Sequence, residues 1–456
     1  AMNDRRLALL IFGGLLPSSL LAAPSWQAGS ARINLTPQQF MWMSGYGGRT
    51  VPADGKLTDL WAKALVLRDA KGKEVVLITA DLIGIGAEST KWIADQLKKN
   101  YGLEREQFAI ATSHTHTGPA LSDNLVPLHY LRADEAQQNR MVKYTLKLRQ
   151  MLVDVVGRAY QDLEPVYITS GNGLCTVAVN RRTNTESQVP QKRLEGMLNG
   201  PYDHDVPVLA VRNADYELKT VVFGYACHST VLSFTQWSGD YPGFAQLALE
   251  TMYPDVDAMF WAGCGADQNP LPRRTVELAK HYGQRLARSV DSVLRGRMVP
   301  VDGELVAHYK EIEGKTQEPI TEDKLKELLA TGNQYEKPYA QYLLKQLINK
   351  ETLPASYPYP IQTWHLGEIR MVFLGGEVVV DYAVKLKQLK AGAKNPNVWV
   401  AGYANDVMAY IPSTRVLREG GYEGGGSNTY YGFPALWSEE FEGQILTETR
   451  RQMSVK

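Results

Sequence analysis

The chain of 456 residues is poor in cysteine, has no excess charge of either sign, and lacks a long apolar segment beyond its first residues. Three cysteines are too few for a disulfide framework, although the spacing leaves a pairing of Cys227 with Cys264 open. Because 49 Lys and Arg residues balance 49 Asp and Glu residues, we expect no nucleic-acid partner. No apolar run is long enough for a transmembrane segment. The absence of Gly-x-Ser-x-Gly argues against a serine hydrolase of the α/β-hydrolase type.

The first residues have the composition of a secretory signal. Asp4, Arg5 and Arg6 precede an apolar run at 7–16, and small residues follow up to Ala23. A charged start, a short apolar middle and a small-residue end are typical of a signal peptide, which we expect over residues 1–23, with the first residue an addition before the natural start. We therefore expect an exported protein, periplasmic or secreted. Residues 24–456 are predicted to form one domain.

Segments with strand character alternate with helical patterns along the chain. This predicts an α/β fold with a mixed β-sheet core flanked by helices and an active site at the strand ends. The predicted strands are 64–68, 75–79, 108–112, 206–212, 220–226, 258–262, 369–374 and 398–402, and the predicted helices are 88–100, 135–163 and 274–294.

Residues 321–350 are charged and helical in pattern, which predicts a helical insertion on the main body. Gly332 and Pro338 are expected to break it into two pieces. The segment carries Tyr335, Tyr339 and Tyr342 at helical spacing. These tyrosines either roof the active site or pack against the body, and the sequence leaves both interpretations open.

Side chains that bind metals stand where three predicted strands end. His114 and His116 follow one strand, His228 follows a second, and Glu377 follows a third. Loops at strand ends converge in α/β proteins, and residues two apart on an extended chain point the same way. Two histidines and a carboxylate are the usual protein ligands of a catalytic zinc. The sequence therefore predicts a Zn²⁺ site with His114 or His116 as its first ligand.

The most specific motif is Thr112-Ser113-His114-Thr115-His116-Thr117-Gly118-Pro119. It resembles the Thr-His-Thr-His-Ser-Gly-Pro segment of the neutral, non-lysosomal ceramidases, and the likeness extends from about Gln27 to the C-terminus. Supporting pieces are Asn180-Arg181, Cys227-His228-Ser229-Thr230, Ser238-Gly239-Asp240-Tyr241-Pro242-Gly243, Gly265-Ala266-Asp267-Gln268-Asn269-Pro270, Gly376-Glu377 and Tyr410-Ile411-Pro412-Ser413-Thr414.

The resemblance implies a zinc ion held by two histidines, a glutamate and a tyrosine, and hydrolysis of the amide of an N-acylsphingosine. Carried over by motif, the implied ligands are His114, His228, Glu377 and Tyr410, with Tyr403 an alternative for the last. The resemblance also implies that the catalytic helpers are His116, as general acid or base, and Arg181, which would stabilise charge on the acyl oxygen. Residues expected to line or support the pocket are Asp240, which would orient His228, Asp267, Gln268, Asn269 and Tyr403.

Two departures from the family pattern bear on the reaction. The family loop Gly-Asp-Val-Ser-Pro-Asn carries a serine, whereas the corresponding loop here offers Asp267, Gln268 and Asn269. Water activated by zinc is therefore the expected nucleophile. The family's C-terminal β-sandwich is expected to be missing, because the sequence ends near the end of the catalytic domain.

The expected activity is hydrolysis of an N-acyl amide on a small-molecule or lipid acyl substrate. The alternatives are a zinc-dependent carboxyl-ester hydrolase acting on a glycan or small metabolite, and a non-catalytic relative that keeps the metal. The sequence indicates no oligomeric state.

Overall fold

A computed structural model describes residues 23–349, 352–388 and 395–455 of the chain. Its strands are β1 Trp26–Asn34, β2 Gly55–Lys56, β3 Trp61–Arg68, β4 Glu74–Ala80, β5 Phe108–Thr112, β6 Glu164–Leu174, β7 Ala178–Asn180, β8 Asp205–Asn213, β9 Leu218–Tyr225, β10 Gln236–Trp237, β11 Asp257–Ala262, β12 Gln268–Pro270, β13 Val299–Pro300, β14 Leu305–Lys315, β15 Ser356–Leu366, β16 Ile369–Leu374, β17 Glu377–Val378, β18 Val398–Ala401 and β19 Tyr410–Ile411. Its α-helices are α1 Ala87–Tyr101, α2 Glu135–Gln161, α3 Val189–Leu194, α4 Asp240–Met252, α5 Val276–Arg295, α6 Glu322–Thr331, α7 Glu336–Asn349, α8 Val380–Lys387, α9 Thr414–Glu419, α10 Asn428–Tyr431 and α11 Phe441–Ser454.

Nine of the described strands belong to one large mixed sheet. Its order is β11-β9-β8-β6-β1-β3-β4-β5, with β13 paired to β6. The pairs β4–β5 and β9–β11 are parallel, and the other neighbours along this order are antiparallel. The predicted mixed sheet is therefore confirmed.

The large sheet curls strongly. Four strands separate β3 from β11 in the sheet order, yet the Lys63 Nζ of β3 donates to the Ala258 carbonyl of β11 at 2.7 Å. The same ammonium, which is buried, pairs with Glu250 of α4 at 2.7 Å. This curl brings the two ends of the sheet together, and with them the loops that follow β5 and β9.

A smaller sheet, β14-β15-β16-β18, packs on one face of the large sheet. Trp364, Phe373 and Trp399 of the small sheet share a buried apolar cluster with residues of the large sheet such as Leu67 and Trp261. Helices cover the outer faces: α1 and α2 lie against the β3–β5 side, α4 and α5 against the β8, β9 and β11 side, and α11 against the small sheet. The α/β class is confirmed, and the second sheet is a feature that the sequence pattern did not reveal.

The segment predicted as a helical insertion forms α6 and α7, which pack together around Leu325 and Leu343. Gly332 ends α6 as predicted. The expected break at Pro338 is wrong, because this proline lies in the first turn of α7, where a missing backbone N–H costs no hydrogen bond.

The structure leaves one further expectation untested and decides another. The predicted signal peptide falls almost entirely outside the described residues. Cys227 and Cys264, like Cys175, are free buried thiols, so the pairing left open by the sequence does not occur. Among the described helices none combines the length and apolarity that a bilayer crossing requires.

Candidate metal centre

Two buried histidines directly follow strands of the large sheet. His114 follows β5 and His228 follows β9, and both are buried. The His114 Nδ1 lies 2.6 Å from the Ile83 carbonyl, and the His228 Nδ1 lies 2.7 Å from the Gly265 carbonyl. A carbonyl can only accept, so each Nδ1 carries the proton and each Nε2 has a free lone pair. Backbone partners of this kind orient metal-binding imidazoles in proteins.

A carboxylate and a phenol come to the same point from a two-stranded sheet, β17-β19, whose strands follow β16 and β18 in the chain. Glu377 stands in β17 directly opposite Tyr410 of β19, with which it forms a parallel pair. The Glu377 Oε2 lies 3.1 Å from the His114 Nε2 and 3.3 Å from the His228 Nε2. The Tyr410 hydroxyl lies 3.4 Å from the His228 Nε2. The structure therefore brings the four predicted ligands into one cluster.

His116 completes a group of three buried histidines whose ring nitrogens lie within 4.8 Å of one another. Its Nε2 is 3.2 Å from the His114 Nε2. Unlike the other two rings, its Nδ1 has no hydrogen-bond partner among the described residues. His116 thus lacks the backbone partner that orients the rings of His114 and His228.

Burial and charge set the protonation of the cluster. Burial lowers the pKa of His228 to about 4, an effect that Arg181 reinforces. Burial, followed by the charges of His114 and His228, holds the pKa of His116 well below its ordinary value. Burial alone would raise the pKa of Glu377, but His114 and His228 beside it hold that pKa well below the usual range. At neutral pH the His116 and His228 imidazoles are therefore neutral, and the Glu377 carboxylate is ionised.

These residues fit a metal ion. The buried Glu377 Oε2 has no hydrogen-bond partner in the described structure, although it points at two imidazole lone pairs. Since a buried carboxylate oxygen is costly to leave unpaired, a cation bound among the three groups would satisfy it. Imidazole, carboxylate and phenolate donors suit a borderline-soft ion such as Zn²⁺.

Tyr431 also contacts the cluster, and the sequence did not point to it. Its hydroxyl donates to the Glu377 Oε1, which leaves the Oε2 oriented toward the histidines. Tyr431 ends α10, in a segment where glycines at 420, 421, 424, 425 and 426 precede it. That glycine cluster after Tyr410 is the signal that could have marked the loop.

Arg181 connects three parts of the site. Its Nη2 donates to the Tyr410 hydroxyl at 3.1 Å, its Nη1 to the Asn269 Oδ1 at 3.3 Å, and its Nε to Glu423 at 2.6 Å. Burial opposes its charge, but Tyr410 and Glu423 raise the pKa of Arg181 well above its ordinary value. Arg181 is therefore a permanent cation that is held in place beside Tyr410. Glu423 is a second residue that the sequence did not single out.

Asp240 supports the site through the backbone. Its carboxylate accepts from the Val231 and Leu232 N–H groups at 3.2 and 2.9 Å and from Tyr241 N–H at 2.7 Å. The expected contact with the His228 ring is wrong, because the Gly265 carbonyl occupies the Nδ1 of that ring. Asp240 instead holds the loop that follows His228.

The other residues predicted to line or support the pocket form hydrogen bonds to neighbouring segments. Asp267 accepts from the Val380 N–H at 2.9 Å and thereby joins the β11 loop to α8. The Gln268 Nε2 donates to the Pro201 carbonyl at 3.2 Å. The Asn269 Oδ1 accepts a hydrogen bond from the Arg181 Nη1.

The alternative phenol Tyr403 lies against the ring of His114. Its ring stacks on His114 with centroids 4.2 Å apart, whereas Tyr410 stands in register with Glu377. The Tyr403 hydroxyl is buried without a hydrogen-bond partner among the described residues. The geometry therefore favours Tyr410 as the phenolic ligand and Tyr403 as a wall of the site.

Several residues of the site have backbones in the left-handed region. The φ angles are 57° at His114, 55° at Asp240 and 53° at Tyr403. Residues other than glycine rarely adopt this region, and each one that does raises the free energy of the folded state by about 1–3 kcal/mol. Such strain is concentrated at functional sites, and here it directs His114 and Tyr403 toward the same point.

Gly45 permits the close approach of a loop to His116. Its φ is +107°, and a Cβ there would lie 2.5 Å from the His116 ring. We expect Gly45→Ala to destabilise the protein by about 1–3 kcal/mol, because both the φ angle and the contact are unfavourable. Urea denaturation measures this effect. Gly48→Ala is the matched control, since a Cβ there meets no atom within 4 Å; equal stability of the two variants would contradict the prediction.

The fold and the site together define an α/β protein with a buried histidine and carboxylate centre suited to a catalytic metal. The sequence profile of the neutral/alkaline non-lysosomal ceramidase N-terminal domain matches residues 26–268, and the chain belongs to this family. Glu377 and Tyr410 lie beyond the matched residues.

Individual relatives agree with this assignment. The neutral ceramidase of Drosophila pseudoobscura pseudoobscura is 26% identical over 257 residues, which cover 54% of this chain and 35% of the relative. The neutral ceramidase of Drosophila melanogaster is 25% identical over 262 residues, which cover 55% and 36%. The match thus spans about a third of these relatives. The crystal structure of the neutral ceramidase from Pseudomonas aeruginosa has the same fold, with a TM-score of 0.71 at 18% identity over 95% of this chain and 74% of that one.

Proposed function

We propose that this protein is a zinc-dependent hydrolase that cleaves an N-acyl amide bond. The observation that carries the proposal is the Glu377 Oε2, which lies within 3.3 Å of two imidazole lone pairs and has no other partner among the described residues. Membership of the neutral ceramidase family supports an amide as the bond that is cleaved.

The metal would be held by His114, His228, Glu377 and Tyr410. A divalent zinc bound there would polarise an acyl oxygen and lower the pKa of a water molecule. Burial and the neighbouring Glu377 raise the pKa of Tyr410 well above its ordinary value although Arg181 opposes this, so ionisation of the phenol would require direct binding to the metal.

His116 is the group we assign to proton transfer. Its low pKa keeps the imidazole neutral, so that it can accept a proton from the attacking water. The protonated ring can then donate that proton to the departing amine.

Arg181 is the group we assign to the acyl oxygen. Two of its nitrogens already bind Asn269 and Tyr410, which fixes the plane of the guanidinium before substrate binds. Each of these nitrogens carries a second N–H that can donate to negative charge as it develops. Glu423 keeps the group in position from the opposite side.

The proposal is tested by metal analysis together with hydrolysis of matched substrates. Purified protein is expected to contain one zinc per chain, to lose hydrolysis on treatment with a chelator and to regain it with added zinc. A hexanoyl amide and a hexanoyl ester are prepared from an amine and an alcohol of otherwise identical structure. Comparison of their kcat/KM values distinguishes an amidase from an esterase. Stoichiometric zinc without hydrolysis of either substrate would favour a non-catalytic relative, and absence of bound metal would overturn the metal assignment.

A further inference from the structure

Residues 44–49 form a loop, here called loop 44–49, that touches the candidate centre through Tyr46. The Tyr46 and His116 rings lie 4.9 Å apart between centroids. The Tyr46 hydroxyl donates to the Leu232 carbonyl at 3.0 Å, in the chain segment that follows His228. Tyr46 is partly exposed, so the loop lies between the histidines and solvent.

Two arginines flank the Tyr46 ring. The Arg49 guanidinium carbon lies 4.8 Å from the ring centroid, and that of Arg274 lies 5.4 Å from it. Arg274 also donates to the Tyr46 hydroxyl at 3.1 Å. The backbone of Arg274 has a φ of +100°, an unfavourable conformation that holds this exposed side chain beside Tyr46.

A third arginine binds the other end of the loop. The Arg132 Nη1 donates to the Gly47 carbonyl at 2.9 Å, and its guanidinium carbon lies 4.7 Å from the ring of Tyr335. Tyr335 in turn packs on Gly47, where a Cβ would approach its ring to 3.0 Å. Loop 44–49 is thus surrounded by three cations.

None of these three arginines forms an ion pair within the described part of the chain. By contrast, Arg273, next to Arg274, pairs with Glu186 at 2.9 Å. The charge of Asp240 reaches both Tyr46 and Arg274, but its oxygens accept from three backbone N–H groups and not from an arginine.

Arg49 shows most clearly that the arginines around loop 44–49 lack a carboxylate partner. Its side chain is buried, and its two terminal nitrogens donate only to the carbonyls of Ser44 and Phe234. The Nε has no partner in the described structure. Burial lowers the pKa of Arg49 to about 10, so the group still carries its charge at neutral pH. Buried charges in proteins are normally paired.

We infer that Arg49, Arg132 and Arg274 form an anion-binding subsite, and that the substrate carries a carboxylate or a similar anionic group next to the bond that is cleaved. This inference rests on the proposed function for the identity of the cleaved bond. A sphingoid alcohol would leave the three cations without a counter-charge, whereas an N-acyl amino acid or an acidic sugar amide would supply one.

The test compares hexanoylglycine with its neutral counterpart hexanoylglycinamide. Binding to the full chain is measured by calorimetry after chelator treatment, so that neither cleavage nor a metal ion contributes. The carboxylate is expected to bind about tenfold or more tightly than the amide, the effect of one charge-assisted hydrogen bond. The preference should shrink as salt is added, because exposed charges are screened.

Arg274→Gln is the decisive variant because its side chain is exposed, and the side-chain hydrogen bond that it loses is the one to the Tyr46 hydroxyl. It is expected to remove most of the preference for the carboxylate. Arg288→Gln, an exposed arginine roughly 18 Å further along α5, should leave the preference unchanged. Equal affinities of the two probes, no binding of the carboxylate at millimolar concentration, or equal effects of the two variants would overturn the subsite. Because the readout is binding without metal, failure of hydrolysis alone would affect only the proposed function.

Discussion

The His114→Ala variant will lose its metal ion and its hydrolytic activity together. His114 contributes an Nε2 whose lone pair is fixed by the Ile83 carbonyl on the opposite ring nitrogen. Loss of an outer partner alone weakens metal sites by about 10- to 100-fold, so removal of the ligand itself should weaken binding by at least about 100-fold. Metal content after gel filtration, and kcat/KM with an N-acyl amide, measure the two effects.

An exposed histidine provides the control for this result. His281 lies on the surface of α5, and His281→Ala should retain both metal and activity. Circular dichroism on all variants separates loss of the ligand from loss of the fold. Full metal content in His114→Ala would contradict the assignment of this residue as a ligand.

The His116→Ala variant will keep its metal and lose about 10²- to 10⁴-fold in kcat, the usual contribution of a positioned acid or base. The expectation follows from its unpaired Nδ1, since the two proposed ligand histidines both bind a carbonyl through that atom. The measurement is kcat on zinc-loaded protein, with metal content determined on the same sample.

The pH profile gives an independent readout of this role. Loss of the imidazole should remove the limb of the kcat/KM profile that reports its ionisation. Loss of zinc equal to that of His114→Ala would show that His116 is a ligand, which its place among three clustered histidines would then explain.

Local patterns predicted many of the elements but not their assembly. The hairpin β3–β4 and helix α2 lie within a few residues of their predicted ranges, because alternation and helical spacing are local properties. Strand β15 was missed, because Pro358 and Pro360 argue against an interior strand. Both prolines lie where β15 pairs with β14 alone, so their missing N–H groups cost no ladder bond.

The curl of the large sheet could not be predicted, since it depends on contacts between distant segments. Lys63 and Ala258 are 195 residues apart, and no pattern in the sequence connects them. The secretory signal and the exported location stay predictions.

The sequence indicated which side chains of the candidate site lie together, although their roles stay predictions. Histidines and a glutamate directly after strands are visible in the sequence, and the structure brings His114, His228 and Glu377 within hydrogen-bonding distance. Glu423 and Tyr431 were missed because they lie in a glycine-rich segment without periodicity. Their importance depends on which side chains they meet, and that depends on tertiary structure.

The position of the proposed ligands on two different sheets has a consequence for how the site forms during folding. His114 and His228 come from the large sheet, whereas Glu377 and Tyr410 follow strands of the small one. A chain in which only one sheet has formed therefore holds only half of the ligand set. Assembly of the proposed metal centre therefore requires that the two sheets dock, and a cation that binds all four side chains would stabilise only the docked molecule.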